Sequence, residues 1–207
     1  MEEKQILTIE QIVSNSAQFT QYFNLIKGTQ SEEITFRPLQ HTDVSSLQQF
    51  LENLSEVTRR FATYPSYDLQ CAQQFCDDID HYEILRMIAT VGNNQIIAVF
   101  EFNVDLEEFD IHRYRKYGVE LNDETDIQFA PCIADEYQNR NLGSRLLHLM
   151  IDLAKQLGKK RMILWAGVLT DNQQAIRFYE KNHFHVFQEK YLAQDGYDCY
   201  DAILQLP

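Results

Sequence analysis

The most regular pattern of apolar positions in the chain lies between residues 138 and 158. Leucines recur there at intervals of four, three, four and four residues, which places their side chains on one face of a helix. They are Leu142, Leu146, Leu149, Leu153 and Leu157. Gly158 can end this helix, because glycine adopts the left-handed backbone of a helix C-terminus at little cost. The pattern therefore predicts an amphipathic helix from Gln138 to Gly158.

Predicted strands lie on both sides of this helix. Residues 126–134 precede it as a short, largely apolar run, and residues 162–168 follow it with apolar side chains at every second position. A strand, a helix and a second strand at this spacing predict two parallel strands joined by a right-handed crossover.

The rest of the chain alternates between extended and helical patterns, which predicts a mixed α/β class. Further strands are predicted over residues 34–37, 83–91, 95–104, 184–191 and 197–206, and further helices over residues 43–54, 68–80 and 172–182. Asp43 is placed to cap the first of these helices. Residues 105–122 show no clear period and form a helix or a loop.

Two short segments have the chemistry of hairpin turns, and one terminal region stands apart. Gly92-Asn93-Asn94 and Asp195-Gly196 are the predicted turns, because glycine and asparagine tolerate a positive φ. Residues 1–30 carry apolar side chains at helical spacing in places, until Gly28-Thr29 interrupts the pattern. We expect one or two short helices in an N-terminal extension over 1–30, and a main domain over 31–207.

Composition and charge narrow the classes of function. The 207 residues are 44% hydrophobic and carry a formal net charge of −13, from 18 Lys+Arg and 31 Asp+Glu. Nucleic acid and anionic membranes call for basic surfaces, so neither is expected as a partner. An acidic surface attracts cations such as amines. No apolar run approaches the ~20 residues that span a bilayer, and the acidic start does not resemble a signal peptide, so we expect a cytoplasmic protein with reduced cysteines.

The cysteines and histidines do not predict a metal site. Cys71 and Cys76 lack the spacing of a zinc knuckle, and His183 and His185 have no third ligand nearby. We expect no metal.

The junction between the strand ending near Ala134 and the helix predicts an anion site. It reads Ile133-Ala134-Asp135-Glu136-Tyr137-Gln138-Asn139-Arg140-Asn141-Leu142-Gly143-Ser144. A tight turn into a helix N-terminus directs several backbone N–H groups and the positive end of the helix dipole at one point. Gly143 lets the backbone approach a phosphate closely, and Arg140 can add charge-assisted hydrogen bonds.

This junction resembles the pyrophosphate loop of the GCN5-related N-acetyltransferase (GNAT) family, whose pattern is Gln/Arg-x-x-Gly-x-Gly/Ala. Gln138 and Gly143 match. Asn141 replaces the first glycine, and asparagine is the next best residue for a left-handed backbone. The loop is therefore expected to form.

A second segment also resembles the family. Asn172-x-x-Ala175-x-x-Phe178-Tyr179-Glu180-Lys181-Asn182-x-Phe184 is similar to its later cofactor segment, with His183 in place of a common glycine. The order of elements fits from Ile34-Thr35-Phe36-Arg37-Pro38-Leu39 to residue 207. The resemblance implies a mixed, mostly antiparallel, twisted sheet flanked by helices.

The resemblance implies an enzyme that transfers an acetyl group from acetyl-CoA to a primary amine directly, in a ternary complex. The amine would belong to a small molecule or to a protein or peptide, and members of the family often form homodimers. The residues expected at the cofactor are Ile133, Ala134, Gln138, Asn139, Arg140, Asn141, Leu142, Gly143, Ser144, Asn172 and Tyr179. Backbone groups of Ile133 and Ala134 would pair with the pantetheine amides. Asn172 would contact the pantetheine arm or cap its helix.

The same resemblance proposes catalytic groups. Tyr179 would be the general acid for the departing CoA thiolate, or an aromatic core residue beside Phe178. The strand position where some members carry a basic glutamate holds Ile127. Glu101 on the preceding strand is the substitute general base, with Asp126 behind it. Either carboxylate is otherwise a solvated strand residue, and a chain of water molecules is the other route for the proton.

A shorter likeness precedes the sheet. Leu54-Ser55-Glu56-Val57-Thr58-Arg59-Arg60-Phe61 is similar to a Leu-Ser-x-x-Ser/Thr-x-x-x-Arg-Phe stretch of some bacterial members, including protein-lysine acetyltransferases. In the family this region shapes the acceptor site. A loop that only packs against neighbouring elements accounts for this stretch equally well.

Three other functions stay open. A member that has lost catalysis would bind acyl-CoA as a sensor or scaffold, and Asn141 and His183 are the substitutions that favour this. The second is a transferase that uses a different acyl donor or an O-linked acceptor. An unrelated phosphate-binding α/β domain is the third and ranks last, because a dinucleotide fold carries its glycine-rich turn after the first strand.

Overall fold

The computed structural model describes residues 6–27, 30–193 and 196–207. The chain forms two units, one from Met1–Glu101 with Pro131–Leu149 and the other from Phe102–Ala130 with Met150–Pro207. The helices are α1 (Ile9–Ser14), α2 (Val44–Asn53), α3 (Glu56–Ala62), α4 (Leu69–Asp77), α5 (Glu108–Lys116), α6 (Leu142–Gln156) and α7 (Gln173–Lys181). The strands are β1 (Gln21–Lys27), β2 (Gln30–Pro38), β3 (Ile84–Val91), β4 (Gln95–Asn103), β5 (Asp126–Ile133), β6 (Arg161–Leu164), β7 (Val168–Leu169), β8 (His185–Leu192) and β9 (Asp198–Gln205).

In the first unit, strands β1 to β4 lie side by side in chain order. The β1–β2 and β2–β3 pairs are antiparallel. Helices α2 and α4 each bury one apolar stripe, with Leu47 and Leu51 on α2 and Phe75 on α4. These side chains form one core cluster with Ile88 of β3 and Val99 of β4. The loop that follows β5 packs against this core through Ala134.

In the second unit, β5 and β6 are parallel, from the Asp126–Arg161 pair to the Phe129–Leu164 pair. Strand β9 pairs antiparallel with β6, β7 and β8. The segment between β4 and β5 contains α5, and the buried Tyr114 of this helix donates its hydroxyl proton to the carbonyl of Ala202, with 2.7 Å between the oxygens.

The predicted α/β class, with a mixed, mostly antiparallel sheet flanked by helices, is confirmed. Within the described ranges, no helix combines the length and the apolarity that a bilayer crossing requires. The predicted end of α6 is confirmed as well, because Gly158 has a φ of 76° and the Lys159 N–H bonds to the Ala154 carbonyl.

Residues 21–27 correct the expectation that one or two short helices make up the extension over 1–30. Helix α1 and a 3₁₀ turn over Ser16–Phe19 are present, but the chain then enters strand β1. Phe23 and Leu25 are buried while Tyr22 and Ile26 are exposed, which is the period of two that a strand produces. Gly28 and Thr29, which marked the end of the pattern, lie outside the described residues, as does Asp195 of the second predicted turn.

Two further expectations were wrong in detail. The single strand predicted over residues 162–168 is interrupted, because Ala166 and Gly167 have φ values of 58° and 75°. Asp43 does not cap α2 with its side chain. Its carboxylate instead accepts two hydrogen bonds from Arg37, at 2.7 and 2.8 Å, and one from Asn94.

Candidate cofactor-binding site

The loop between β5 and α6 has the backbone shape that its asparagines predict. After a 3₁₀ turn over Asp135–Tyr137, Asn139 and Asn141 both take a left-handed conformation with φ of 59°. Asparagine is among the few residues other than glycine that adopt this region readily. Asn141 therefore has the left-handed backbone that was expected at this position.

Helix α6 begins at the end of this loop. The Arg145 N–H bonds to the Asn141 carbonyl at 3.2 Å, which starts the helical pattern. The first amides of an α-helix have no carbonyl of an earlier turn to bind, and the helix dipole adds partial positive charge there. Leu142, Gly143 and Ser144 form this first turn, so their N–H groups suit an anion such as a pyrophosphate.

Arg140 adds a full positive charge between the two left-handed residues. Its guanidinium carbon lies 5.5 Å from the centre of the Tyr137 ring. Its Nη1 atom is buried and has no hydrogen-bond partner within the described part of the chain. Buried N–H groups of side chains normally have a hydrogen-bond acceptor. An anionic ligand in the loop would supply the acceptor that Nη1 of Arg140 lacks.

Gln138 turns its side chain toward the protein. Its Nε2 donates to the Ile133 carbonyl at 3.0 Å and to Thr58 Oγ1 at 3.2 Å. Asp135, at the start of the loop, accepts hydrogen bonds from Ser55 and Thr58. The side chains of Gln138 and Asp135 therefore hold the loop to α3.

The expected pairing of pantetheine with Ala134 needs correction. The Ala134 N–H already donates to the Ile97 carbonyl at 2.9 Å, and its carbonyl accepts from the Tyr137 N–H at 2.8 Å. The Ala134 N–H is therefore not free for a ligand. Ile133 is half-buried at the end of β5, and its carbonyl accepts from Gln138.

Asn172 and Tyr179 belong to the second unit. Asn172 caps α7, since its Oδ1 accepts the Ala175 N–H at 3.0 Å. Tyr179 is 6% exposed and packs edge-on against Phe178 and Phe184, with ring centres 5.2 and 5.3 Å apart. Burial raises the pKa of the Tyr179 hydroxyl. His183, in the position of a common glycine, has a φ of 68° and so keeps the glycine-like backbone.

Glu101 is not a solvated strand residue. It is 3% exposed, and its Oε1 accepts a hydrogen bond from Arg86 Nε at 2.8 Å. The Arg86 guanidinium in turn lies 3.9 Å from the centre of the Phe75 ring. Burial raises the pKa of Glu101, while Arg86 and a hydrogen bond from Tyr64 oppose the increase. This geometry favours a structural ion pair over direct contact with an acceptor.

Asp126 has a similar role in the second unit. It is fully buried, and both of its oxygens accept hydrogen bonds from Arg161 at 2.5 Å. Ile127, in the strand position of the usual glutamate, is fully buried as well. Among the described residues, no group of three or more His, Cys, Asp and Glu side chains is placed to hold a metal ion.

Sequence reasoning missed the connection between the stretch beginning at Leu54 and the loop. Ser55 and Thr58 stand out in the sequence as a helix-capping pair, but Asp135 is 77 residues from Thr58 along the chain. Pro131 indicates in the sequence that strand pairing ends before the loop begins. Proline has no N–H to donate to a neighbouring strand, and the register of β5 with β6 ends at Phe129 and Leu164.

Comparison with known proteins settles the family. The model of the acetyltransferase (GNAT) family matches residues 51–184, which is more than half of the chain. The chain belongs to the GNAT family. The match contains the loop, α3 and all of α7, so both segments that resembled the family's cofactor motifs lie inside it, and the predicted membership is confirmed.

Relatives of this GNAT chain support the assignment. A protein named acetyltransferase PA5475, from Pseudomonas aeruginosa, is 27% identical over 132 residues, which is 62% of this chain and 63% of that protein. The chain thus spans less than two thirds of this relative's length.

Solved structures show the same fold. The GNAT domain of S. lividans PAT is 17% identical, with a TM-score of 0.66, over 92% of this chain and 98% of that one. Aminoglycoside acetyltransferase AAC(6')-Ib, solved with coenzyme A, is 21% identical, with a TM-score of 0.63, over 83% of this chain and 94% of that one.

Proposed function

We propose that this GNAT member transfers an acetyl group from acetyl-CoA to a primary amine, directly and within a ternary complex. The observation that carries the proposal is the loop of residues 138–144. Its two left-handed asparagines, the first turn of α6 and the incompletely bonded Arg140 form a set of donors for a pyrophosphate.

The cofactor contacts follow from these donors. The backbone N–H groups of residues 139–144 would bind the pyrophosphate, and Arg140 would neutralise part of its charge. Gln138 would act through its backbone, because its side chain is bonded to Ile133 and Thr58. The resemblance adds Asn172 and Ile133 as proposed contacts to the pantetheine arm. Asn172 can combine that contact with its capping bond, since an amide has donor and acceptor atoms.

Acetyl transfer requires a neutral amine and a proton for the departing thiolate. We assign the second task to Tyr179. Tyrosine hydroxyls are protonated at neutral pH, and the raised pKa of Tyr179 keeps this one so. Glu101 is the proposed base only if it acts through an intermediary, because its carboxylate is buried against Arg86. We propose Tyr64, which donates a hydrogen bond to Glu101, as that intermediary.

The acceptor is proposed to be a cationic amine of a small molecule or of a protein or peptide. The net charge of −13 favours the approach of cations. A structural neighbour, AAC(6')-Ib, is an aminoglycoside acetyltransferase, which is consistent with an amine acceptor.

Calorimetric titration with acetyl-CoA tests the first half of the proposal. We expect micromolar binding by the wild type and its loss in Gly143→Asp, because the new carboxylate repels the pyrophosphate. Gly143→Ala is the matched control, because alanine adds no charge and is favourable in a helix. Absence of binding by the wild type would overturn the proposal.

An amine screen tests the second half. Release of free thiol from acetyl-CoA is followed with polyamines, aminoglycosides and lysine peptides, with Tyr179→Phe beside the wild type. We expect amine-dependent release that falls at least tenfold in Tyr179→Phe, in line with a general acid. Unchanged turnover in a folded Tyr179→Phe would make the tyrosine a core residue only.

One observation favours a second function, the binding of acyl-CoA without turnover. Both conspicuous candidate bases, Glu101 and Asp126, are buried in ion pairs. If acetyl-CoA binds and no amine causes thiol release above background, this second function replaces the first.

A further inference from the structure

A network of side-chain hydrogen bonds connects the start of α3 to the N-terminal end of the candidate pyrophosphate loop. We call Ser55, Thr58, Asp135 and Gln138 the α3–loop network. Asp135 Oδ1 accepts from Ser55 Oγ at 2.6 Å and from Thr58 Oγ1 at 2.7 Å, and its Oδ2 accepts from the Ser55 N–H at 2.9 Å. Gln138 Nε2 donates to Thr58 Oγ1 at 3.2 Å and to the Ile133 carbonyl at 3.0 Å.

The direction of each bond makes Thr58 the centre of the network. A hydroxyl has one proton to donate and lone pairs to accept. Thr58 donates its proton to Asp135, which as a carboxylate only accepts, and receives a proton from Gln138. Valine has the same shape as threonine but can neither donate nor accept a hydrogen bond, whereas serine can do both. Thr58 is 8% exposed, so water does not readily replace the lost bonds.

The network is charge-assisted. Burial alone would raise the pKa of Asp135, but the hydrogen bonds from Ser55 and Thr58 outweigh it and lower the pKa. Asp135 is therefore ionised at neutral pH and keeps its three hydrogen bonds. Hydrogen bonds to an ionised acceptor are shorter and stronger than those between neutral groups, in agreement with the 2.6 and 2.7 Å distances.

The network holds the chain directly before the residues that would bind the cofactor. Asp135 opens the 3₁₀ turn, and Gln138 directly precedes the left-handed Asn139. Between them and α6 lie the two left-handed residues and Arg140. A loop with left-handed non-glycine residues has a conformation that its surroundings must hold in place.

We propose that Thr58 and Asp135 are positioning residues for cofactor binding, which fix the loop of residues 135–141 in its anion-binding shape before the ligand arrives. This inference rests on the proposed function of the loop. If only a fraction of molecules holds the competent shape, the apparent dissociation constant rises by the inverse of that fraction. Loss of the network therefore weakens the binding of ligands that carry the pyrophosphate, and it leaves the rest of the first unit folded.

The test compares Thr58→Val with Thr58→Ser and Asp135→Asn. Calorimetry with acetyl-CoA is expected to give an about tenfold weaker affinity for Thr58→Val and Asp135→Asn, the equivalent of one charge-assisted hydrogen bond. Thr58→Ser is expected to stay within about twofold of the wild type, because serine can restore both bonds. Thr90→Val is the matched control, since Thr90 is 5% exposed in β3 and is not part of the network.

A second ligand separates positioning from general damage. S-acetyl-pantetheine lacks the pyrophosphate, and its affinity is measured by NMR titration of the same variants. We expect Thr58→Val to lose affinity for acetyl-CoA only. Equal losses for both ligands, or no loss for acetyl-CoA while Gly143→Asp abolishes its binding, would overturn the positioning role and leave the proposed function intact. A wild type that does not bind acetyl-CoA would overturn both.

Discussion

Two polar clusters, one from each unit of the chain, are built differently. The α3–loop network of the first unit has one carboxylate with three donors, and its members lie partly at the surface. The cluster of the second unit, which we call the Arg113 cluster, comprises Arg113 and the buried Asp110, Asp201 and Gln128. Arg113 donates to both carboxylates, and Gln128 donates to Asp110.

The two clusters differ in how their charges are balanced. The Arg113 cluster has two carboxylates at 0% exposure and one guanidinium, so one negative charge is left without a partner of its own. Burial raises the pKa of Asp110 to about 6, with Arg113 opposing and Asp201 adding to the increase. In the α3–loop network the pKa of Asp135 is lowered instead. A polar cluster that positions a binding loop keeps its charge over the working pH range, whereas the Arg113 cluster makes stability depend on pH.

The largest expected effect breaks the Arg113 cluster. Arg113→Ala leaves two buried carboxylates without their cation, and removal of one partner of a buried pair costs about 3–5 kcal/mol of unfolding free energy. Chemical denaturation measures the loss. Arg115→Ala is the control, since the Arg115–Glu120 pair is exposed and such pairs contribute about 1 kcal/mol or less. Equal effects of the two substitutions would mean that the Arg113 cluster contributes no more than a surface pair.

The next effect is the pH dependence of the same cluster. The pKa of Asp110 rises from 3.8 to about 6 on folding, so its contribution to stability is complete below pH 3.8 and is lost as the pH rises through about 6. Compared with Asp110→Asn, the wild type should lose about 2 kcal/mol of unfolding free energy between pH 4 and pH 7.

Denaturation of both proteins across this pH range checks the prediction. The difference between them isolates Asp110 from carboxylates such as Asp43, whose pKa is lowered on folding. A constant difference from pH 4 to pH 7 would contradict a raised pKa at Asp110.

In the first unit the expected effect is on binding rather than on stability. Arg140→Ala removes the guanidinium whose Nη1 has no partner within the described residues, and the affinity for acetyl-CoA should fall by about 2 kcal/mol, or about thirtyfold. The melting temperature should change little.

Arg145→Ala is the matched control for Arg140→Ala. Its guanidinium is already engaged, 4.0 Å from the centre of the Phe23 ring and hydrogen-bonded to the Asn24 carbonyl. Similar losses of affinity in both variants would show that the effect is general electrostatics and not a contact made by Arg140.

Sequence patterns predicted this fold well where they were local or periodic. The apolar face of α6, its glycine end and the left-handed Asn141 all follow from properties of a few neighbouring residues. Residues 21–27 were missed because short apolar runs fit either period. The bonds of Thr58 to Asp135 and of Arg86 to Glu101 were missed for another reason. Such pairings depend on which elements meet in space, and no local pattern contains that information.

The smallest expected effects come from substitutions at two of the left-handed residues, one chosen from each unit. His183 has a φ of 68° and Asn141 a φ of 59°, and a non-glycine residue pays for this backbone unless its side chain suits it. His183→Gly should raise the unfolding free energy by up to about 1 kcal/mol, since glycine adopts this region freely but is also more mobile when unfolded. Asn141→Gly should change it less, because asparagine is already well adapted there. Denaturation of the two variants against wild type measures the contrast. A larger gain at Asn141 than at His183 would mean that the strain lies in the candidate pyrophosphate loop, where it would act against the preorganisation that we attribute to Thr58 and Asp135.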